Sequence, residues 1–240
     1  MKIRILPSEH KTNFRNSLEL NLWQNDKLIP EVRDALKRIA EDFSKFLKIP
    51  VIIDDIRLTG SLANYNYSQH SDIDLHIVIN FSSISSDMDL VKGFFTSKRI
   101  VWNQKHDITV KGYEVEVYVE DVGEKHFSTG IYSITNDEWV VKPSPKKPVL
   151  DLDAAAKKAD HLKGEIDVAT GPLQELADLK RMKEKIKRLR RCGLESGGEY
   201  SIENLAFKML RRTGYLKKLN DAYVQEYDKN YSLPEEIKRT

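Results

Sequence analysis

The 240-residue sequence predicts an α+β protein: a mixed β-sheet with flanking helices over residues 1–148, followed by a helical bundle over 149–240. Three observations carry that expectation. Apolar, β-branched runs bounded by turn residues recur between residues 51 and 141. The segment Pro143-Ser-Pro-Lys-Lys-Pro148 then breaks regular structure. Beyond it, apolar residues return at the 3.6-residue helical period instead of alternating.

Taken in order, Val32, Leu36, Ile39, Phe43 and Phe46 lie at helical spacing within residues 30–48, with Pro30 at the start and Pro50 just past the end. This helix is expected to cover the sheet. Strands are expected near 51–59, 72–79, 99–103, 107–111 and 113–120, with one more near 131–133 or 139–141. The Ser- and Asp-rich stretch from Phe81 to Asp89 reads as a loop. In the second half, Asp153 to about Val168 forms one helix, and Pro172 opens another in which Leu176, Leu179, Met182, Ile186 and Leu189 keep the period until Gly193 stops it. Ser201 is placed to cap a helix over Ile202–Arg212. Gly214 separates that helix from a last one running from Tyr215 to about Tyr227. No internal repeat or low-complexity tract is visible.

The chemistry concentrates in Thr59-Gly60-Ser61 and, eleven residues later, Asp72-Ile-Asp74. Residues two apart on a strand share a face, so Asp72, Asp74 and His76 project together while Ile73, Leu75 and Ile77 point into the packing. Two carboxylates that close repel each other unless a cation sits between them. Mg²⁺, which takes oxygen ligands and leaves positions for substrate phosphates, is the expected occupant. A glycine in the preceding turn lets the backbone approach a phosphate closely, and the following hydroxyl and amides supply donors.

These residues resemble the signature of the DNA polymerase β-like nucleotidyltransferases, a Gly-Ser turn, a spacer, then Asp-x-Asp on a strand; residues 58–77 match it. The family takes a third carboxylate from a later strand of the same sheet, and within Tyr113-Glu-Val-Glu-Val-Tyr-Val119 the choice is Glu116, with Glu114 in reserve. Many members use Asp there. A finer resemblance spans nearly the whole chain, through Leu58–Tyr67, Ser71–His76, Val115–Tyr118, Ser128–Ser133 and Gly198–Leu205. It is to the uncharacterised nucleotidyltransferases of tailed-bacteriophage genomes. The resemblance implies a nucleotidyltransferase fold with a catalytic domain over 1–148 and a helical domain over 149–240. Asp72 and Asp74 would bind two Mg²⁺ or Mn²⁺ ions, and Glu116 would complete the site. Gly60 and Ser61 would hold the β- and γ-phosphates of an NTP whose nucleoside monophosphate passes to an acceptor hydroxyl, releasing pyrophosphate.

Tyr65, Asn66 and Tyr67 lie where a base or sugar would sit, and Tyr65 is the candidate to touch the nucleotide; anchoring of the turn is the competing role, expected of at least one of these residues. His76 fits a phosphate contact and an ordinary hydrogen-bonded histidine equally. His106 and Asp107 read as a turn. His126 and Ser128 fall in the loop after the strand of Glu116, where a substrate contact is the lesser alternative to an ordinary loop role.

Net charge is only +2, but its distribution is uneven. Lys180, Arg181, Lys183, Lys185, Lys187, Arg188, Arg190 and Arg191 crowd one helix, and Lys208, Arg211, Arg212, Lys217 and Lys218 form a second group. Lys183, Lys187, Arg188 and Arg191 are the candidate nucleic-acid contacts, against the ordinary alternative of a solvated helix face. RNA, including tRNA, is the favoured acceptor and a protein hydroxyl comes next. Synthesis of a cyclic or linear oligonucleotide messenger, or an inactive nucleotide- or nucleic-acid-binding module, are the alternatives. A single cysteine, Cys192, excludes a disulfide framework, and no secretory h-region or membrane-length apolar run is present. A cytoplasmic protein is expected, in the host cytoplasm if phage-encoded, with no membrane partner.

Overall fold

The computed structural model describes residues 14–69, 71–145, 149–172 and 175–233. The chain divides into two compact units, Met1–Lys147 and Pro148–Thr240.

The first unit is built on a six-stranded mixed sheet. Its first described strands form a separate two-stranded hairpin, β1 (Trp23–Gln24) and β2 (Lys27–Leu28), turned through Asn25 and Asp26, both at positive φ as a two-residue hairpin turn requires. Helix α1 (Pro30–Leu47) starts on a proline and buries Val32, Leu36, Ala40, Phe43 and Leu47 along one stripe. The sheet strands are β3 (Asp55–Thr59), β4 (Ile73–Ile79), β5 (Thr109–Val110), β6 (Tyr113–Asp121), β7 (Ile131–Ser133) and β8 (Glu138–Val141), in the order β5-β6-β4-β3-β7-β8. Among the described strands only the central pair β4 and β6 is parallel.

A parallel pair cannot be closed by a hairpin and needs a crossover. Helix α2 (Met88–Lys105) supplies it, and residues 99–103, expected as a strand, lie inside this helix. The local run Ile100-Val-Trp102 favours a strand by composition, but Val91, Phe95 and Trp102 fall on one helical face and are buried. Asp87 starts the helix by accepting the amide of Leu90. The stretch 81–89 is thus only partly a loop: it holds a 3₁₀ turn at Phe81–Ser83 and the first residues of α2.

Alternation divides the sheet into two chemically distinct faces. Ile73, Leu75, Ile77 and Ile79 of β4, with Val115, Val117 and Val119 of β6 and Leu58 of β3, join the core shared with Leu36, Phe43, Phe95 and Trp102 of α1 and α2. At about 1.5–3 kcal/mol per buried side chain, this face offsets the cost of the polar residues gathered on the other.

The second unit is helical: α3 (Leu152–Ala169), α4 (Leu176–Gly197), α5 (Ile202–Arg212) and α6 (Tyr215–Tyr231). Asp151 and Ser201 cap α3 and α5 by accepting the amides of Ala154 and Asn204. Leu162, Ile166, Leu179, Met182, Ile186, Leu210 and Leu219 form its core. Gly193 does not stop α4, which continues to Gly197. Its role is steric: a Cβ there would come within 2.5 Å of Glu203 Cβ and 2.8 Å of Ser201 Oγ, so the glycine admits the start of α5. No helix among the described residues is long and apolar enough to cross a membrane.

Candidate active site

The register of the central strands assembles the acidic group. Asp74 on β4 pairs with Thr59 on β3 and with Glu116 on β6, so the three side chains form one rung across the sheet. Asp72 precedes it on the same face. Carboxylate oxygens of Asp72, Asp74 and Glu116 all lie within 4.8 Å of one another, with Asp72 and Glu116 exposed and Asp74 half-buried. Glu114, the reserve for the third position, is one same-face step away and pairs with Thr109 of β5. Three like charges at this separation, open to solvent, make a donor set of hard oxygens suited to Mg²⁺ or Mn²⁺.

Gly60 and Ser61 stand directly against that group. Gly60 ends β3 at φ 75° and ψ −159°, a conformation open essentially to glycine alone, and a Cβ on it would sit 1.7 Å from Asp74 Oδ2. The turn therefore brings bare backbone onto the carboxylate. Ser61 begins a 3₁₀ turn (Ser61–Ala63), and its hydroxyl donates to Ser71 Oγ at 2.8 Å, tying the turn to the residue before Asp72. The turn is backed from below. Trp23 Nε1 donates to the carbonyl of Leu62, and a Cβ at Gly130 would lie 1.9 Å from the carbonyl oxygen of Ala63. The Ser128–Ser133 motif thus packs its glycine against the 3₁₀ turn that follows Gly60.

Tyr65, the candidate nucleotide contact, is packed largely into the core. It is 8% exposed, its ring meets Phe14 at 5.9 Å, and it belongs to the core with Tyr67, so both rings anchor the turn.

Further along the same face, with His76 one step beyond Asp74 and Glu120 two steps beyond Glu116, lies a second polar group. Glu120, 1% exposed, accepts from His76 Nδ1 at 2.6 Å, His126 Nε2 at 2.7 Å and Arg57 Nη1 at 3.1 Å. Arg57 also holds buried Asp55 at 2.9 Å, and His76 stacks on Tyr118. His76, Glu120 and His126 are close enough to bind a metal ion, but the Arg57 guanidinium already brings positive charge to two of the three ligand atoms, lying 3.5 Å from His126 Nε2. The group is a hydrogen-bonded brace beside the acidic rung. Its sequence signal was the continued two-residue alternation Glu116, Tyr118, Glu120; Arg57 and His126 come from elsewhere in the chain.

Burial alone would push the Glu120 carboxyl up, yet the hydrogen bonds and charges of His126 and His76 hold it down at about 2. A folded-state value below the ordinary one stabilises the fold above pH about 4.5, and that contribution disappears as pH falls towards 2, to a total of about 3 kcal/mol. Urea unfolding between pH 5 and 2 should show this loss in the wild-type chain. In Glu120→Gln the contribution should be missing already at pH 5 and the slope over that window shallower; equal slopes would remove Glu120 from the account.

In the helical unit the basic residues separate. Arg181 pairs with Asp178, Lys185 with Glu165, Lys217 with Asp221 and Lys218 with Asp167. Lys183 donates to Asn220 at 2.9 Å and lies 4.1 Å above the Tyr223 ring. Lys187, Arg188 and Arg191 are exposed and make no ion pair among the described residues. Burial lowers the Lys208 ammonium below the usual lysine range; Glu199 opposes this, and Arg211, Arg212 and Arg190 add to it.

No protein-family model matches the chain. No curated protein matches it either. Among solved structures it is similar to the STING-associated CdnE c-di-GMP synthase from Capnocytophaga granulosa, at 14% identity over 85% of this chain and 84% of that one, with a TM-score of 0.24. A likeness of that strength leaves the chemistry to be read from the site itself.

Proposed function

We propose that the chain is a metal-dependent nucleotidyltransferase that moves a nucleoside monophosphate from an NTP to an acceptor hydroxyl and releases pyrophosphate. One observation carries the reading: Asp72, Asp74 and Glu116 converge on neighbouring parallel strands with the bare backbone of Gly60 packed against Asp74. Asp72, Asp74 and Glu116 would hold Mg²⁺ or Mn²⁺, which when bound neutralises the phosphate oxygens and activates the attacking hydroxyl. The residues of the chain position. Gly60 and the amides that follow it face the triphosphate, and the Ser61–Ser71 hydrogen bond keeps the turn in register with the acids. The buried side of β4 and β6 holds the acidic rung rigid.

RNA is the acceptor the composition favours, because α4 carries eight basic residues against Asp178, Glu184 and Glu195, and Lys187, Arg188 and Arg191 face solvent. The test is incubation with each radiolabelled NTP, Mg²⁺ or Mn²⁺, and total cell RNA, DNA or protein. Label should enter the RNA fraction and be absent with Asp72→Asn. Label in protein would replace RNA with a protein hydroxyl. A labelled soluble product formed without any acceptor would replace it with oligonucleotide synthesis. Incorporation that survives Asp72→Asn would overturn the reading altogether.

A further inference from the structure

Helix α6 carries a ladder of tyrosines that the proposed chemistry does not use. Tyr223, Tyr227 and Tyr231 follow at four-residue spacing with ring centroids 6.1 and 4.7 Å apart. Tyr227 is 43% exposed and Tyr231 73%. At 100° per residue, the positions between 220 and 231 within about 60° of Tyr227 are Asn220, Tyr223, Val224, Asn230 and Tyr231. None is charged. The charged residues of α6, Lys217, Lys218, Asp221, Glu226, Asp228 and Lys229, lie outside this stripe.

The neighbouring helix supplies the complementary charge. Lys183 of α4 sits over the inner end of the ladder, 4.1 Å from the Tyr223 centroid, and the same helix exposes Lys187, Arg188 and Arg191. An aliphatic partner helix would call for Leu or Ile knobs, and Val224 is the stripe's one aliphatic residue. Flat phenol faces on a helix packed against the cation-bearing α4 match a polymer that offers unstacked bases and phosphates together. Duplex nucleic acid does not qualify, since its bases are already stacked.

We propose that α4 and α6 form a docking surface for single-stranded nucleic acid, with bases stacked on Tyr227 and Tyr231 and phosphates paired with Lys183, Lys187 and Arg188. This deepens the nucleotidyltransferase reading, on which it rests for its meaning, by naming the acceptor class as a single strand. The surface itself is tested without catalysis.

The experiment measures fluorescence anisotropy of a labelled oligouridylate of about a dozen nucleotides with the full chain, in EDTA and without NTP. Wild type should bind, and the duplex of the same strand with oligoadenylate should bind at least about tenfold more weakly. Tyr227→Ala and Tyr231→Ala should each weaken binding by about tenfold, as expected for loss of one stacking partner, while Tyr227→Phe keeps it. Both positions are exposed, so the variants should fold, which circular dichroism verifies. Lys187→Ala and Arg188→Ala should each reduce the slope of log affinity against log salt by about 0.7.

Equal affinity of wild type and the alanine variants, equal binding of duplex, or a change of oligomeric state in Tyr231→Ala in place of lost binding would each overturn the proposal. Asp74→Asn separates the two claims. It should bind the strand like wild type yet incorporate about a thousandfold less; incorporation within tenfold of wild type would sink the chemistry and leave the surface standing. Unaffected binding in the tyrosine variants would do the reverse.

Discussion

Asp74→Asn is expected to lower nucleotide incorporation by about a thousandfold while leaving the protein folded. Asp74 occupies the middle of the acidic group, opposite Glu116 and beside Gly60. Neutralising it would remove one carboxylate of the proposed metal site and reduce the charge that draws a divalent ion. A metal ion contributes several kcal/mol of charge stabilisation in phosphoryl chemistry, and each 1.36 kcal/mol is tenfold in rate. A second readout does not depend on turnover. Mg²⁺ should raise the thermal midpoint of wild type, because a ligand that binds only the folded state stabilises it, and this rise should be absent in Asp74→Asn. Equal Mg²⁺ responses in the two proteins, or turnover within tenfold of wild type, would show that the acidic rung is a solvated strand edge and not a metal site.

Gly60→Ala should be nearly as damaging to activity, for a steric reason. An added Cβ would lie 1.7 Å from Asp74 Oδ2 and 2.8 Å from Asp74 Cγ, so either the carboxylate leaves its place or the turn withdraws. The backbone conformation adds a strain of about 1–3 kcal/mol, which for a chain of this size lowers the thermal midpoint by roughly 2–12 °C. Gly112→Ala provides the control. That residue also sits at positive φ, 86° in the β5-β6 turn, but a Cβ there meets nothing within 4 Å. It should cost stability and spare turnover. Full activity in Gly60→Ala would mean that the close approach of this turn to Asp74 has no part in the reaction.

Residues 58–77 were legible because each feature there is local. The turn glycine, the apolar side of β4 and the same-face acids follow from a two-residue period that needs no knowledge of the rest of the chain. The choice of Glu116 over Glu114 was of another kind. Alternation places both on one face of β6, and only the parallel register with β4 sets Glu116 opposite Asp74. Tyr65 is read from its position in the spacer, with anchoring of the turn as the competing role. Next to the turn in sequence, its ring is nonetheless drawn into the core by Phe14 and the surrounding apolar side chains.

By itself the sequence determined the α+β class, the helical character of the second half, the Ser201 cap and the pairing of a glycine turn with two acids. All of these depend on periodicity, capping or backbone preference within a few residues. Tertiary structure alone decided that 99–103 is helical, that Gly193 lies inside a helix, and that Glu120 gathers His76, His126 and Arg57. The physical reason is the same in each case. The crossover between two parallel strands, the close approach of α5 to α4 and the burial of one carboxylate among distant donors are long-range contacts. Their energies outweigh local propensity, and no short window of residues contains both partners.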